Sequence, residues 1–444
     1  MTKLLGKIQV PGDKSISHRS VMFASLAKGK TYVNGFLEGA DCLSTISCFR
    51  KLGIEIERNK EKLIIEGKGL RGLQKSKEIL DCGNSGTTTR LISGILAAQG
   101  FDTILTGDES IKKRPMSRII TPLSLMGANI KSTNDGYAPL HINGTNLHGI
   151  DYISPIASAQ VKSAILLAGL YAEGKTSITE PLLSRNHTEL MLKSFGADIE
   201  SIGTKVSIKK CTELYANNIE VPGDISSAAF FIAGASICKG SDLLIKNVGI
   251  NPTRDGILKI LKQMGANIEL LNISDTEEKK ADIRVKYSNL KGTIIGGDII
   301  PSLIDEIPII AAMAVFAEGQ TIIKDAGELK VKESNRIKVM VSELQKIGVD
   351  IVETDDGMII NGNPNYKFNS ATIDSHKDHR IAMTFSILNL VSDNKISIID
   401  KINAIIIAGH LEGCVVEAVE TKDETSKKEK MEELEKLIQK IMKI

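Results

Sequence analysis

Five short stretches combine helix-starting residues with charged side chains: Gly12-Asp13-Lys14-Ser15-Ile16-Ser17-His18-Arg19, Gly83-Asn84-Ser85-Gly86-Thr87-Thr88-Thr89-Arg90, Ser158-Ala159-Gln160-Val161-Lys162-Ser163, Asp305-Glu306 and Asp378-His379-Arg380. Each precedes an Ala-rich or apolar run and so predicts a helix N-terminus. Free N–H groups and the macrodipole there favour phosphate or carboxylate, and Gly or Ser lets such a ligand approach the backbone. Taken singly, each stretch reads as ordinary capping. Lys14, Arg19 and Arg90 alter that reading, because a cation beside a helix N-terminus opposes the dipole unless an anion offsets it. The basic strings Lys112-Lys113-Arg114-Pro115-Met116 and Lys330-Val331-Lys332-Glu333-Ser334-Asn335-Arg336 read alone as solvated surface. In this company they too become candidates for anion capture.

The bulk properties narrow the ligand. The chain has 444 residues, 42% hydrophobic and 25% charged, and a formal charge of +2, so no global field recruits nucleic acid or an anionic membrane. Aromatics make up 4% with no Trp, which leaves few stacking platforms for single-stranded nucleic acid. Neither CxxC nor HExxH occurs, so no zinc or redox site is expected, and the six cysteines read as reduced cytosolic thiols. Met1–Val10 is too short and polar for a signal segment, and no run reaches the length of a membrane span. A cytoplasmic protein acting on small anions, and a monomer, is expected. Neither glycine cluster has the ending of a phosphate-binding P-loop or the GxGxxG spacing of a dinucleotide site.

The elements that position these residues repeat along the chain. An apolar residue, Gly, any two residues and Ile recur around Gly53, Gly127, Gly196, Gly265 and Gly348, roughly 70 to 85 residues apart. That pattern reads as a helix closing at a C′ glycine and feeding a strand. A second, interleaved set of helix ends is expected at Gly29, Gly100, Gly174, Gly240, Gly319 and Asn394. Six units of two helices each follow. Val10-Pro11-Gly12-Asp13 recurs as Val221-Pro222-Gly223-Asp224, which predicts two domains of three units with crossovers near Pro11 and Pro222. The expected domains are 1–10 with 222–410, then 11–221. Residues 411–444 are expected to form a charged helical tail, with Met431, Leu434, Ile438 and Ile441 on one face.

The motifs Pro11–Arg19, Gly83–Arg90, Arg114-Pro115-Met116, Ser158–Lys162, Lys332–Arg336 and Asp378–Arg380, in this order, resemble the 5-enolpyruvylshikimate-3-phosphate synthase family across about positions 5 to 403. The resemblance implies an α/β fold, a two-domain inverse α/β barrel of six βαβαββ units, whose helix N-termini face a cleft that closes on substrate. It also implies transfer of the enolpyruvyl group of phosphoenolpyruvate to the 5-hydroxyl of shikimate 3-phosphate, with release of phosphate and without metal or organic cofactor. By position, Lys14, Ser15, Arg19, Ser158, Ala159, Gln160, Arg185, Asp305 and Lys332 match contacts to shikimate 3-phosphate. Lys14, Gly86, Arg114, Gln160, Arg336 and Arg380 match contacts to phosphoenolpyruvate. Arginine suits this task because its planar fork pairs two oxygens at once. Asp305 resembles the base on the 5-hydroxyl, Glu333 the residue that moves the proton at the methylene, and Lys14 shares that proton work. From spacing alone, Asp305 would be the N-cap of a helix Glu306–Phe316 and Glu333 a surface ion pair. His18 and His379 read as partners of neighbouring groups.

Two alternatives stay open at this level. UDP-N-acetylglucosamine enolpyruvyl transferases share the architecture and the donor but carry a Cys in the first-domain catalytic loop, where this chain has Lys112–Met116. A catalytically impaired anion-binding homologue is the other. After Ala404 the chain runs Ile405-Ile406-Ile407-Ala408-Gly409-His410, in place of the family's Ser/Thr-x-Pro-x-Phe segment, which leaves the completeness of the sixth unit open.

Overall fold

The computed structural model describes residues 3–58, 62–274, 276, 278–399 and 415–417. The chain divides into two compact units, Met1–Pro11 with Pro222–Ile444 (the terminal unit) and Gly12–Val221 (the inserted unit). Each has its own continuous apolar core.

Three sheets build the inserted unit, and one strand order recurs in them. Leu80–Asp81 lies parallel to Asp102–Thr106, which pairs antiparallel with Tyr137–Asn143, and Asn129–Thr133 closes the edge. Asp151–Ile153, Lys175–Thr179, Lys205–Lys209 and Ile199–Ile202 repeat this order. In the sheet containing Ala27–Asn34, the parallel partners are Leu214–Tyr215 and Ile219–Glu220, the last strands of the unit. The terminal unit mirrors that exchange: Leu5–Gln9, the first strand of the chain, lies parallel to Asp242–Gly249. Its second sheet, with Ile294–Ile295 at one edge, follows the same order, and its third contains Ala371–Asp374 parallel to Ile396–Ile399. A parallel pair needs a crossover helix whereas an antiparallel pair needs only a turn, so the strand order itself produces the βαβαββ repeat.

One helix per repeat is almost wholly enclosed. These inner helices are α1 (Lys14–Leu26), α2 (Gly86–Leu96), α3 (Ala159–Gly169), α4 (Ile225–Ile237), α5 (Ile307–Ala314) and α6 (His379–Leu388). All of α4 and α5 is buried, as expected of helices apolar on every face. In the inserted unit, α2 and α3 pack so closely that a Cβ at Gly94 would lie 2.2 Å from the Ala164 carbonyl oxygen. The outer helices end as the spacing predicts: Gly53, Gly127, Gly196, Gly265 and Gly348 all have φ between 81 and 93°, the left-handed region that glycine enters without steric cost.

Three local expectations need correction. Gly29, Gly100, Gly174, Gly240, Gly319 and Asn394 do not close helices, because the inner helices stop earlier, at Leu26, Leu96, Gly169, Ile237, Ala314 and Leu388, and Gly29 and Gly319 lie within or open the next strands, Ala27–Asn34 and Gly319–Ile323. Asp305 is not a cap: α5 starts at Ile307 after Glu306, with no side-chain capping bond, since both carboxylates are drawn to cations. Within 411–444, the described residues Val415–Glu417 form a strand antiparallel to Leu5–Gln9 rather than helix, in keeping with the β-branched Val415-Val416 pair. The amphipathic stretch around Met431 lies outside the described residues.

Candidate functional site

Every inner helix but α4 begins at or directly after one of the polar clusters singled out in the sequence, and side chains cap every one but α5. Asp13 accepts from Ile16 N, Ser85 from Thr88 N, Ser158 from Val161 N, Asp224 from Ser226 N and Asp378 from Arg380 N. Capping satisfies some of the orphan donors of each first turn and leaves others available to a ligand.

In the inserted unit, Lys14 opens α1 and its Nζ pairs with Asp41. Ser15 follows it in the first turn, half-buried. Arg19, one turn on and 3% exposed, is held from three sides: Nε donates to Thr188 Oγ1 (2.7 Å), Nη2 to Ser163 Oγ (2.8 Å) and Nη1 to the Ser15 carbonyl (3.0 Å). Around the start of α2, Arg90 Nη1 donates to Gln160 Oε1 (2.6 Å) and Gln160 Nε2 to Thr87 Oγ1 (3.0 Å). Arg114 Nη2 donates to Asn84 Oδ1 (2.8 Å) and Ser110 Oγ (3.1 Å). A Cβ at Gly86 would lie 2.8 Å from Arg90 Nη1 and 3.5 Å from Arg114 Nη1, so Gly86, Arg90, Arg114 and Gln160 form one cluster. Ser158 and Ala159 start α3 beside it, and half-buried Arg185 sits in the loop between Lys175–Thr179 and the helix His187–Ser194.

The terminal unit brings together its own set. Arg336, at 1% side-chain exposure, donates from Nε to Asp378 Oδ2 (2.8 Å), from Nη2 to Glu333 Oε2 (2.6 Å) and from Nη1 to Asp305 Oδ1 (3.3 Å). Burial alone would lower its pKa, but Asp378, Glu333 and Asp305 outweigh that and hold the guanidinium charged. Lys332 Nζ lies 3.9 Å from Asp305 Oδ1, and Arg380 Nη1 donates to the Asp305 carbonyl (3.0 Å). Glu333 therefore touches the cluster through Arg336 while keeping 36% of its side chain exposed.

His18 behaves as a structural partner. It is fully buried, with Nδ1 2.7 Å from Thr45 Oγ1, and burial, with smaller contributions from Lys14 and Arg19, pushes its pKa down to about 3 against the opposing pull of Asp41.

Two groups of charged residues, one in each unit, have no individual role in the sequence reading, although Lys162 stands in one of its motifs. Arg254, 3% exposed, donates to Ser226 Oγ (2.6 Å) and lies 3.6 Å from Asp224, 3.8 Å from Glu306 and 3.9 Å from Asp305. The signal that could have found it is the one used for Lys14, a cation beside a helix start, here after Asn251-Pro252-Thr253. The other is Lys162 with Glu180 and Glu189, a charged trio with almost no exposure.

Capped helix starts accompanied by cations, on two units of repeated βαβαββ topology, define a class of protein suited to capturing small anions. The comparisons give the family. The model for EPSP synthase (3-phosphoshikimate 1-carboxyvinyltransferase) matches residues 1–407, so the chain belongs to the EPSP synthase family. The chain is 56% identical over 396 residues to the 3-phosphoshikimate 1-carboxyvinyltransferase of Thermoanaerobacter sp. (strain X514), covering 89% of this chain and 93% of that protein. It is also 56% identical over 398 residues to the one from Brevibacillus brevis, with the same coverage. The solved EPSP synthase of Acinetobacter baumannii superposes with a TM-score of 0.83 at 49% identity, over 91% of this chain and 93% of that one. The fold is accordingly the two-domain inverse α/β barrel.

Proposed function

We propose that the residues gathered on the two units divide the labour of the family's reaction, transfer of the enolpyruvyl group of phosphoenolpyruvate to the 5-hydroxyl of shikimate 3-phosphate with release of phosphate. Lys14, Ser15, Arg19, Ser158, Ala159, Gln160, Arg185, Asp305 and Lys332 hold shikimate 3-phosphate. Lys14, Gly86, Arg114, Gln160, Arg336 and Arg380 hold phosphoenolpyruvate. In the addition step the 5-oxygen bonds to C2 of phosphoenolpyruvate, its proton passes to Asp305, and C3 takes a proton delivered through Glu333 with Lys14. In the elimination step a C3 proton returns to Glu333 with Lys14, the C2–O bond to phosphate breaks as the C2–C3 double bond re-forms, phosphate leaves, and the enol ether remains.

The observation that carries this reading is Arg336, a buried guanidinium bonded to Asp305 and Glu333 at the same time, which ties the two carboxylates to one cation. A shared partner sets the separation of the two carboxylates. The enzyme is read as a cytoplasmic monomer. Support comes from an apolar core in each unit and from five described cysteines that are all free.

The test is release of inorganic phosphate from phosphoenolpyruvate with shikimate 3-phosphate, for the wild type and Asp305→Asn. The amide keeps the size and loses the base, so kcat is expected to fall by about 100-fold or more, while the dissociation constant of shikimate 3-phosphate changes far less. Unchanged turnover removes Asp305 from the mechanism.

A further inference from the structure

We infer that Glu180, clamped by the buried ammonium of Lys162, is a positioning residue for the shikimate 3-phosphate subsite; this deepens the residue assignment above and rests on it. Lys162 occupies the first turn of α3 and has no exposed side-chain surface. Its Nζ lies 2.9 Å from Glu180 Oε2 and 2.8 Å from Glu189 Oε1, and donates to the Ser184 carbonyl at 3.3 Å. Glu180 follows the strand Lys175–Thr179 directly, and Glu189 sits in the first turn of the helix His187–Ser194. One ammonium thus joins α3, the end of a strand, the outer helix and the loop that carries Arg185.

Glu180 then acts on the subsite from two directions. Its Oε1 accepts the backbone N–H of Ser158 at 2.8 Å, and its Oε2 accepts the Ser184 hydroxyl at 2.8 Å. Ser158 begins the Ser158-Ala159-Gln160 run, and Ser184 is the neighbour of Arg185. A single carboxylate therefore sets the spacing between the two segments assigned to shikimate 3-phosphate. A second cross-link runs beside the first: Ser163 Oγ lies 2.6 Å from Thr188 Oγ1, and both hydroxyls hold the Arg19 guanidinium.

Burying three charges costs more desolvation than a packed apolar trio would. Stability alone gives little reason to place them here. The geometry gives another: a carboxylate oriented by a buried ammonium keeps its oxygens aimed at fixed N–H and O–H donors, and so orders a loop that would otherwise sample several conformations.

The experiment uses the full-length enzyme and compares Glu180→Ala, Glu180→Gln and Glu180→Asp, with Arg185→Ala as a reference for the subsite. Glu180→Ala leaves Lys162 paired with Glu189. The KM for shikimate 3-phosphate is expected to rise about tenfold or more in Glu180→Ala, with kcat at saturation within about threefold of wild type and KM for phosphoenolpyruvate nearly constant. Glu180→Gln has one acceptor oxygen where the carboxylate serves three donors, and its NH2 must face either Ser158 N–H or the Lys162 ammonium, so its KM for shikimate 3-phosphate is expected to rise as well. If Glu180→Ala does not fold, Glu180→Asp decides the matter, since its shorter arm keeps the charge near Lys162 but withdraws the acceptor from Ser158. A KM for shikimate 3-phosphate unchanged in the folded Ala or Asp variant, while Arg185→Ala raises it, overturns the positioning role. An unchanged KM in Arg185→Ala itself overturns the subsite assignment instead.

Discussion

At Gly86 the absence of a side chain has a direct consequence. A Cβ there would lie 2.8 Å from the Arg90 guanidinium, the end of a flexible side chain, and in ordinary contact with Arg114 at 3.5 Å, so Gly86→Ala is expected to fold but to displace Arg90. The KM for phosphoenolpyruvate should rise at least about tenfold, equivalent to ~1.4 kcal/mol, in steady-state assays of phosphate release. His18 carries a different kind of residue-scale effect. Its native pKa of about 3 lies below the unfolded value near 6.5. As pH falls between those values the unfolded chain binds a proton that the native state refuses, so stability declines with acidification and is fully present above about pH 6.5. Urea unfolding at pH 7 and pH 5 should show a loss of up to about 1.4 kcal/mol per unit from this group, and His18→Gln should flatten the slope. The chemistry of both positions was half legible in sequence. Gly86 stood in a polar helix start, but its closeness to Arg114 depends on how a separate loop returns to α2.

Among the elements, the inner helices gain their stability from burial on all faces rather than from caps alone. The contact of α2 with α3 at Gly94 shows how tightly that burial is specified. Replacing a mid-helix Gly by Ala ordinarily stabilises a helix, but here the new methyl would meet a backbone carbonyl that cannot rotate away. Gly94→Ala is therefore expected to destabilise the protein by about 1–3 kcal/mol, measured by chemical denaturation. The C′ glycines at Gly53, Gly127, Gly196, Gly265 and Gly348 could be read directly from the sequence because a positive φ is a local requirement. The start of α5 could not. Spacing made Asp305 a cap, whereas the carboxylates of Asp305 and Glu306 answer to Arg254, Arg336, Lys332 and Arg380, cations from distant segments.

For the whole molecule, the decisive feature is a chain that leaves one unit at Pro11 and re-enters it at Pro222, so that each unit completes a sheet with a strand from the far end of its own sequence. Two separate cores result. Phe231 is 1% exposed within the terminal unit's core, and Phe231→Ala is expected to cost about 3–5 kcal/mol. In scanning calorimetry that loss should lower one transition by several degrees and leave a second in place; an equal shift of a single transition would mean that the cores melt together. What the sequence determined by itself was whatever depends on neighbouring residues: the period of the repeats, the glycines that end the outer helices, and the capped helix starts. Which carboxylate meets which cation was decided only by the tertiary structure. Arg336 with Asp305 and Asp378, Arg254 with Glu306, and Lys162 with Glu180 and Glu189 pair across tens of residues. Such pairs are stable only where packing has excluded water and brought their separate elements into register.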